Sequence, residues 1–195
     1  QLGVDPSPQL QNLELQILRQ EIPVAGGVAC PYKGLVSYQI VDGAIFYGRS
    51  DTTDELVNLV LSTPVGVVVG PSGVGKSSVL RAGLARRVLS GMVPGLLTVS
   101  VITPGPQPLR SLYVPGHPDP LVVDQFEELF TLTDDVRRRE EFVEELVSLT
   151  GSSRSRVVIA VRADFYERCM SLRALSGILG RHQVNIGAMS VAGLR

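Results

Sequence analysis

The sequence predicts a three-layer α/β/α sandwich around a mostly parallel sheet of five short strands. Three observations carry that expectation. The apolar run Val65-Gly66-Val67-Val68-Val69 has no alternating polar face, as a strand buried on both sides requires. A glycine-rich turn follows it, Gly70-Pro71-Ser72-Gly73-Val74-Gly75-Lys76-Ser77, and then Val79, Leu80, Leu84, Val88 and Leu89 stand near helical spacing. Two later apolar runs, 121–123 and 157–161, each end in a charged residue, Asp124 and Arg162. Strands that alternate with helices and carry polar groups at their ends belong to a parallel sheet.

The 195 residues suffice for one domain with some extra sequence, and 44% hydrophobic content can build its core. A net charge of −1 gives no overall pull toward nucleic acid or anionic membrane. No apolar run reaches the roughly 18 residues of a membrane span. No basic leader precedes an apolar stretch, so a cytoplasmic location is expected. Cys30 and Cys169 are far apart and form neither a metal pattern nor a disulfide framework. Only two of the 18 basic residues are lysines, Lys33 and Lys76.

In chain order, residues 1–22 stand outside the sandwich. Leu10, Leu13, Leu15, Ile17 and Leu18 predict an amphipathic helix after the breaker Pro6-Ser7-Pro8, and residues 23–30 read as a linker. The segment from Cys30 to Arg49 is punctuated by glycines and aromatics, and residues 54–61 predict a short helix leading into the first strand. The turn at 70–77 then fits G-x-x-x-x-G-K-[ST], the phosphate-binding P-loop. Its three glycines let the backbone approach a polyphosphate, aided by N–H groups at the start of the next helix. Lys76 is expected between the β- and γ-phosphates and Ser77 on Mg²⁺, while Ser78 only extends the helix.

Residues 96–102 are rich in β-branched side chains and predict the second strand. Five prolines at 104, 106, 108, 115 and 118 leave at most a stub of helix in the next connection. The third strand ends in Asp124, which is expected to hold Mg²⁺ largely through water. Glu127 or Glu128 then orients or deprotonates an attacking water. Thr133 is the expected N-cap of a helix over 134–149, whose Arg137-Arg138-Arg139 run, flanked by acids, reads as a solvated face. Arg162, ending the fourth strand, either senses a γ-phosphate by charge-assisted hydrogen bonds or pairs with Asp164 or Glu167. A helix over 165–179 and a strand over 184–186 complete the pattern.

Several of these stretches resemble the novel STAND NTPases, signal-transduction ATPases related to the AAA+ class. The stretches are Pro31-Tyr32-Lys33-Gly34-Leu35 with Phe46-Tyr47-Gly48-Arg49, then Val123-Asp124-Gln125-Phe126-Glu127-Glu128-Leu129-Phe130, and Val161-Arg162-Ala163-Asp164-Phe165-Tyr166. The resemblance covers about 30–195 and implies the additional-strand ATPase order, with P-loop, acid and sensor arginine on the first, third and fourth strands. It makes Tyr47, Gly48 and Arg49 candidates for the adenine side, against the alternative that Phe46 and Tyr47 pack under the sheet. The family has a longer helical insertion between the second and third strands, so this chain's proline-rich connection leaves the strand order at that edge open. Leu2-Gly3-Val4-Asp5-Pro6-Ser7-Pro8-Gln9-Leu10 with Ile17-Leu18-Arg19-Gln20 resembles the end of the bacterial transcriptional activation domain of SARP-type regulators. The alternative there is a generic cap helix.

Taken together these readings divide the chain into 1–22 from an upstream domain, a linker at 23–30 and a C-terminally truncated NTPase domain at 31–195. ATP is the expected nucleotide, since neither lysine stands in the [N/T]-K-x-D motif that selects guanine. The expected function is an ATP- and Mg²⁺-binding, slowly hydrolysing switch in a bacterial multidomain transcriptional regulator. Other domains of the parent chain and a nucleotide-dependent homo-oligomer are its expected partners, with DNA bound only through an upstream domain. A plain ATPase and a degenerate scaffold are the alternatives.

Overall fold

The computed structural model describes residues 33–34, 36–114, 119–151 and 155–189. The chain divides into two units, Gln1–Gly34 and Leu35–Arg195. The predicted N-terminal helix, the linker and Cys30 lie outside the described residues, as do residues 190–195.

In the second unit five strands form one sheet: β1 (Val65–Gly70), β2 (Ser100–Ile102), β3 (Leu121–Val123), β4 (Val157–Arg162) and β5 (Gln183–Asn185). Their order is β2-β3-β4-β1-β5, and every pairing among the described residues is parallel. β4 therefore stands between the P-loop strand and the strand that ends in Asp124, as expected of additional-strand ATPases. The proline-rich connection does close in parallel, because Val101 pairs with Val122. Among its described residues the helix is the single turn α3 (Pro108–Ser111).

Helices cover both faces. α1 (Ser50–Ser62) and α2 pack on one side, where α2 runs as α-helix over Lys76–Ser78, π-helix over Val79–Ala85 and α-helix again over Arg86–Leu89. α4 (Glu128–Thr131), α5 (Val136–Ser148), α6 (Tyr166–Met170) and α7 (Arg173–Ser176) pack on the other. The strands divide their side chains accordingly. Val67, Val69, Val123, Ile159 and Val161 meet Phe126, Phe142, Leu146 and Leu175. Val68, Val122, Val158 and Ala160 meet Leu56, Leu80, Leu84 and Val88. Period-two alternation between two apolar layers explains why these strands read as unbroken apolar runs. Each fully buried valine or leucine contributes about 1.5–3 kcal/mol of transfer free energy.

Several boundaries differ from the sequence reading. The strand expected at 96–102 keeps only Ser100–Ile102, because β2 is an edge strand whose sole partner, β3, is equally short. The helix expected at 134–149 starts at Val136. Asp135, not Thr133, is its N-cap, with the carboxylate accepting the Arg137 N–H at 2.9 Å. The helix expected at 165–179 is broken into α6 and α7. Ser171 and Ser176 donate their hydroxyls to the carbonyls three residues back, a local bond that competes with helix continuation. α1 is longer than the expected 54–61, and β5 lies one residue earlier than 184–186. Among the described residues no helix is long and apolar enough to cross a membrane.

Candidate functional site

In a parallel sheet every strand delivers its carboxyl end to the same edge, and here that edge gathers the chemistry. Gly70 at the end of β1 pairs directly with Arg162 at the end of β4. Asp124 follows β3, its N–H extending the ladder to the Ile102 carbonyl at 2.8 Å. The loop between β1 and α2 turns through Gly73 (φ 73°) and Gly75 (φ 95°), left-handed conformations that an L side chain rarely adopts. Pro71, Ser72 and Val74 complete it.

Lys76, only 8% exposed, folds over this loop and donates to the Gly70 carbonyl at 2.9 Å and the Pro71 carbonyl at 2.8 Å. Burial lowers its pKa, while the carboxylates of Glu127 and Asp124 act in the opposite direction. The next side chain, Ser77, donates its hydroxyl to Asp124 Oδ1 at 3.0 Å. Asp124 is 1% exposed. Its Oδ1 also accepts the Gln125 N–H at 3.0 Å, and its Oδ2 lies 3.3 Å from Arg81 Nη2. Gln125 holds φ 51°, a backbone state rarely seen outside glycine, and thereby bends the chain sharply away from β3.

Beyond that bend the two candidate glutamates, neighbours on a helical turn, go to different partners. Glu127 comes back toward Lys76 and Arg162, half-buried, with Oε2 fully enclosed and without a hydrogen-bond partner among the described residues. Burial lifts its carboxyl above the ordinary range, opposed by backbone N–H groups and by the charges of Lys76 and Arg162. Glu128 instead accepts the Gly105 N–H at 3.1 Å and so anchors the connection after β2. Arg162 is turned to Asp164, donating Nε at 3.1 Å and Nη2 at 2.7 Å, with its guanidinium over the Phe165 ring. Of the two readings of this arginine, the pairing with Asp164 is the geometry present. Cys169, behind Glu127, is buried and its thiol is pushed up to about 12, which makes it an inert core residue.

The candidates for the adenine side separate as well. Arg49, 9% exposed, donates from Nη2 to the Val74 carbonyl at 3.0 Å and the Gly187 carbonyl at 2.9 Å, tying the loop to the segment after β5. Burial lowers its pKa. Gly48 turns the chain at φ 75°. Phe46 packs on the core, as one reading expected, but Tyr47 is 71% exposed and does not lie under the sheet. Ser78 does more than extend the helix, since its hydroxyl accepts the Tyr38 N–H at 3.1 Å and fastens the lead-in segment to α2. Arg81 was not singled out from the sequence. Its signal was its spacing, four residues after Ser77, which puts both on one helix face.

The residues suit an Mg²⁺–polyphosphate. Ser77 Oγ and Asp124 supply two hard oxygen donors side by side, and no cluster of three or more His, Cys, Asp or Glu among the described residues forms a cage. Mg²⁺ characteristically takes one or two protein oxygens and completes its octahedron with phosphate and water.

The family model described as Novel STAND NTPase 1 matches residues 31–120 and 115–195. No curated protein matches. Among solved structures the Saccharomyces cerevisiae Hsp104 chain, from an extended Hsp104:casein complex, superposes with a TM-score of 0.53 at 14% identity. The match covers 75% of this chain but spans only 28% of that one, and it supports the α/β fold.

Proposed function

The chain belongs to the novel STAND NTPase family, and from that membership we propose that it binds ATP with Mg²⁺, hydrolyses it slowly and works as a nucleotide-dependent switch. The observation that carries the proposal is the 3.0 Å bond between Ser77 and Asp124 beneath a loop already turned for phosphate. The cation, when bound by Ser77 and Asp124, neutralises charge on the β- and γ-phosphates.

The remaining chemistry is assigned to the chain's own side chains. Lys76 exchanges two neutral loop carbonyls for anionic phosphate oxygens, so its ammonium gains acceptors of opposite charge. Glu127 is assigned the attacking water, because it has an enclosed carboxylate oxygen without a partner and faces Lys76 and Arg162. Glu128 is assigned a structural role on Gly105. Arg162 reads the γ-phosphate once it leaves Asp164. Arg49, through Val74, transmits the state of the loop to the segment after β5. The parent protein is read as a multidomain regulator that changes its self-association with nucleotide, with DNA contacted only through a further upstream domain.

Calorimetric titration with ATP and Mg²⁺ tests the proposal. Binding by the wild-type chain that is lost in Lys76→Ala supports it. Equal affinity in both chains sinks the phosphate-binding assignment, and fast turnover without any change in assembly favours the plain ATPase.

A further inference from the structure

The Asp124 carboxylate already has a cation on it. Arg81 Nη2 lies 3.3 Å from Oδ2, while Oδ1 takes the Ser77 hydroxyl and the Gln125 N–H. Asp124 is buried at 1% exposure, and Arg81 Nε is enclosed and has no hydrogen-bond partner among the described residues. A guanidinium held by one nitrogen, with another nitrogen stranded, is not packed there as an optimal ion pair. The backbone that carries it is unusual too. Arg81 stands inside the π-helical segment Val79–Ala85, a geometry rare in proteins and frequent at functional sites. That segment is pressed on α1, where a Cβ at Gly83 would fall 2.7 Å from Thr53 Oγ1. The helix is closely packed on α1 there, whereas the Arg81 side chain, 24% exposed, has room to move.

We propose that Arg81 is a built-in competitor of the divalent cation, neutralising Asp124 until Mg²⁺ and nucleotide displace its guanidinium. This inference rests on the reading of Ser77 and Asp124 as the cation's ligands. An arginine never loses its charge at working pH, so its positive end and a divalent ion cannot share one buried carboxylate without strong repulsion. Displacement therefore sets a Mg²⁺ threshold for nucleotide binding. It also couples ligand arrival to a movement of α2's side chain, which is what a switch requires. Arg81 is a positioning residue: it acts through Asp124.

The test is the Mg²⁺ concentration that half-saturates binding of a fluorescent ATP analogue at fixed nucleotide, measured on the whole chain. Arg81→Gln keeps a donor for Asp124 but removes the charge, and its midpoint is expected to fall by about fivefold or more, the lower end of what one unit charge at this distance exerts. Arg81→Lys keeps the charge, and its midpoint is expected within about twofold of wild type. An unchanged or raised midpoint in Arg81→Gln overturns the inference. Should that variant not fold, the ¹⁵N resonance of Arg81 Nε in the wild type decides, identified by its loss in Arg81→Lys. It must move when Mg²⁺ and ATP are added together, and an unmoved signal in a nucleotide-bound chain overturns the inference. A wild type that binds no nucleotide at saturating Mg²⁺ instead overturns the reading on which it rests.

Discussion

Two halves of the same sheet edge are built differently. Around β1 and β3 the polar groups are tied across the chain, Lys76 on two carbonyls, Ser77 on Asp124 and Arg49 bridging Val74 and Gly187, although Arg81 Nε is enclosed without a partner among the described residues. Around β4 the ties are local or missing. Glu127 has an enclosed oxygen without a partner, and Arg162 is turned onto Asp164, alongside Phe165. The half that would hold phosphate is preorganised, and the half that would act on it is not assembled. Binding needs side-chain exchanges at Lys76 and Arg81 on a loop already turned, and hydrolysis further needs Arg162 released from Asp164, the order that suits a switch with slow turnover.

The largest expected effect attacks the assembled half. Lys76→Ala removes two charge-assisted bonds, each of about 1.5–3 kcal/mol, so ATP affinity by calorimetry should fall at least about 100-fold. The next separates the glutamates. Single-turnover hydrolysis should drop about 10²- to 10⁴-fold in Glu127→Gln while nucleotide affinity stays within about twofold. Glu128→Gln should lower the rate by less than about fivefold, and the reverse ranking would exchange their roles.

A smaller effect probes the parked arginine. Both members of the Arg162–Asp164 pair are substantially exposed, so the pair is worth at most about 1 kcal/mol. Asp164→Asn should therefore release Arg162 and raise turnover by up to about fivefold, with affinity unchanged. A fall in rate would show that the pair itself, not the released guanidinium, is the working form. The smallest effect is on stability. Burial raises the Glu127 pKa above 4.5, so the folded chain retains a proton that the unfolded chain has lost. Stability should thus decline as pH rises from 4.5 through the folded-state pKa. In Glu127→Gln that decline is absent, so its melting temperature should exceed wild type's at pH 7 and the advantage should shrink by pH 4.5. An advantage independent of pH would contradict the buried, proton-retaining carboxyl.

Much of this was legible in local pattern. The turn at 70–77 announces itself because glycine tolerates the φ of Gly73 and Gly75 far better than other residues, beside a lysine and a serine at set positions. Unbroken apolar runs at 65–69 and 157–161 announced a sheet covered on both faces, and the two core layers are that expectation in three dimensions. Element ends were less legible. Thr133 and Asp135 are both good N-caps, and only the packed helix chooses between them. The length of β2 depends on the length of β3, which no residue of β2 encodes.

What the sequence determined by itself is the set of chemical groups and the strand ends that carry them, because turns, caps and buried strands are specified by neighbours along the chain. The tertiary structure decided how those groups pair. It sent Glu127 toward Lys76 and Glu128 to Gly105 and put Arg81 on Asp124. Such pairings depend on which strand lies beside which and on a single bend at Gln125. Contacts between residues some 40 positions apart are fixed by the sheet's register and the helices packed on it, and no local pattern contains them.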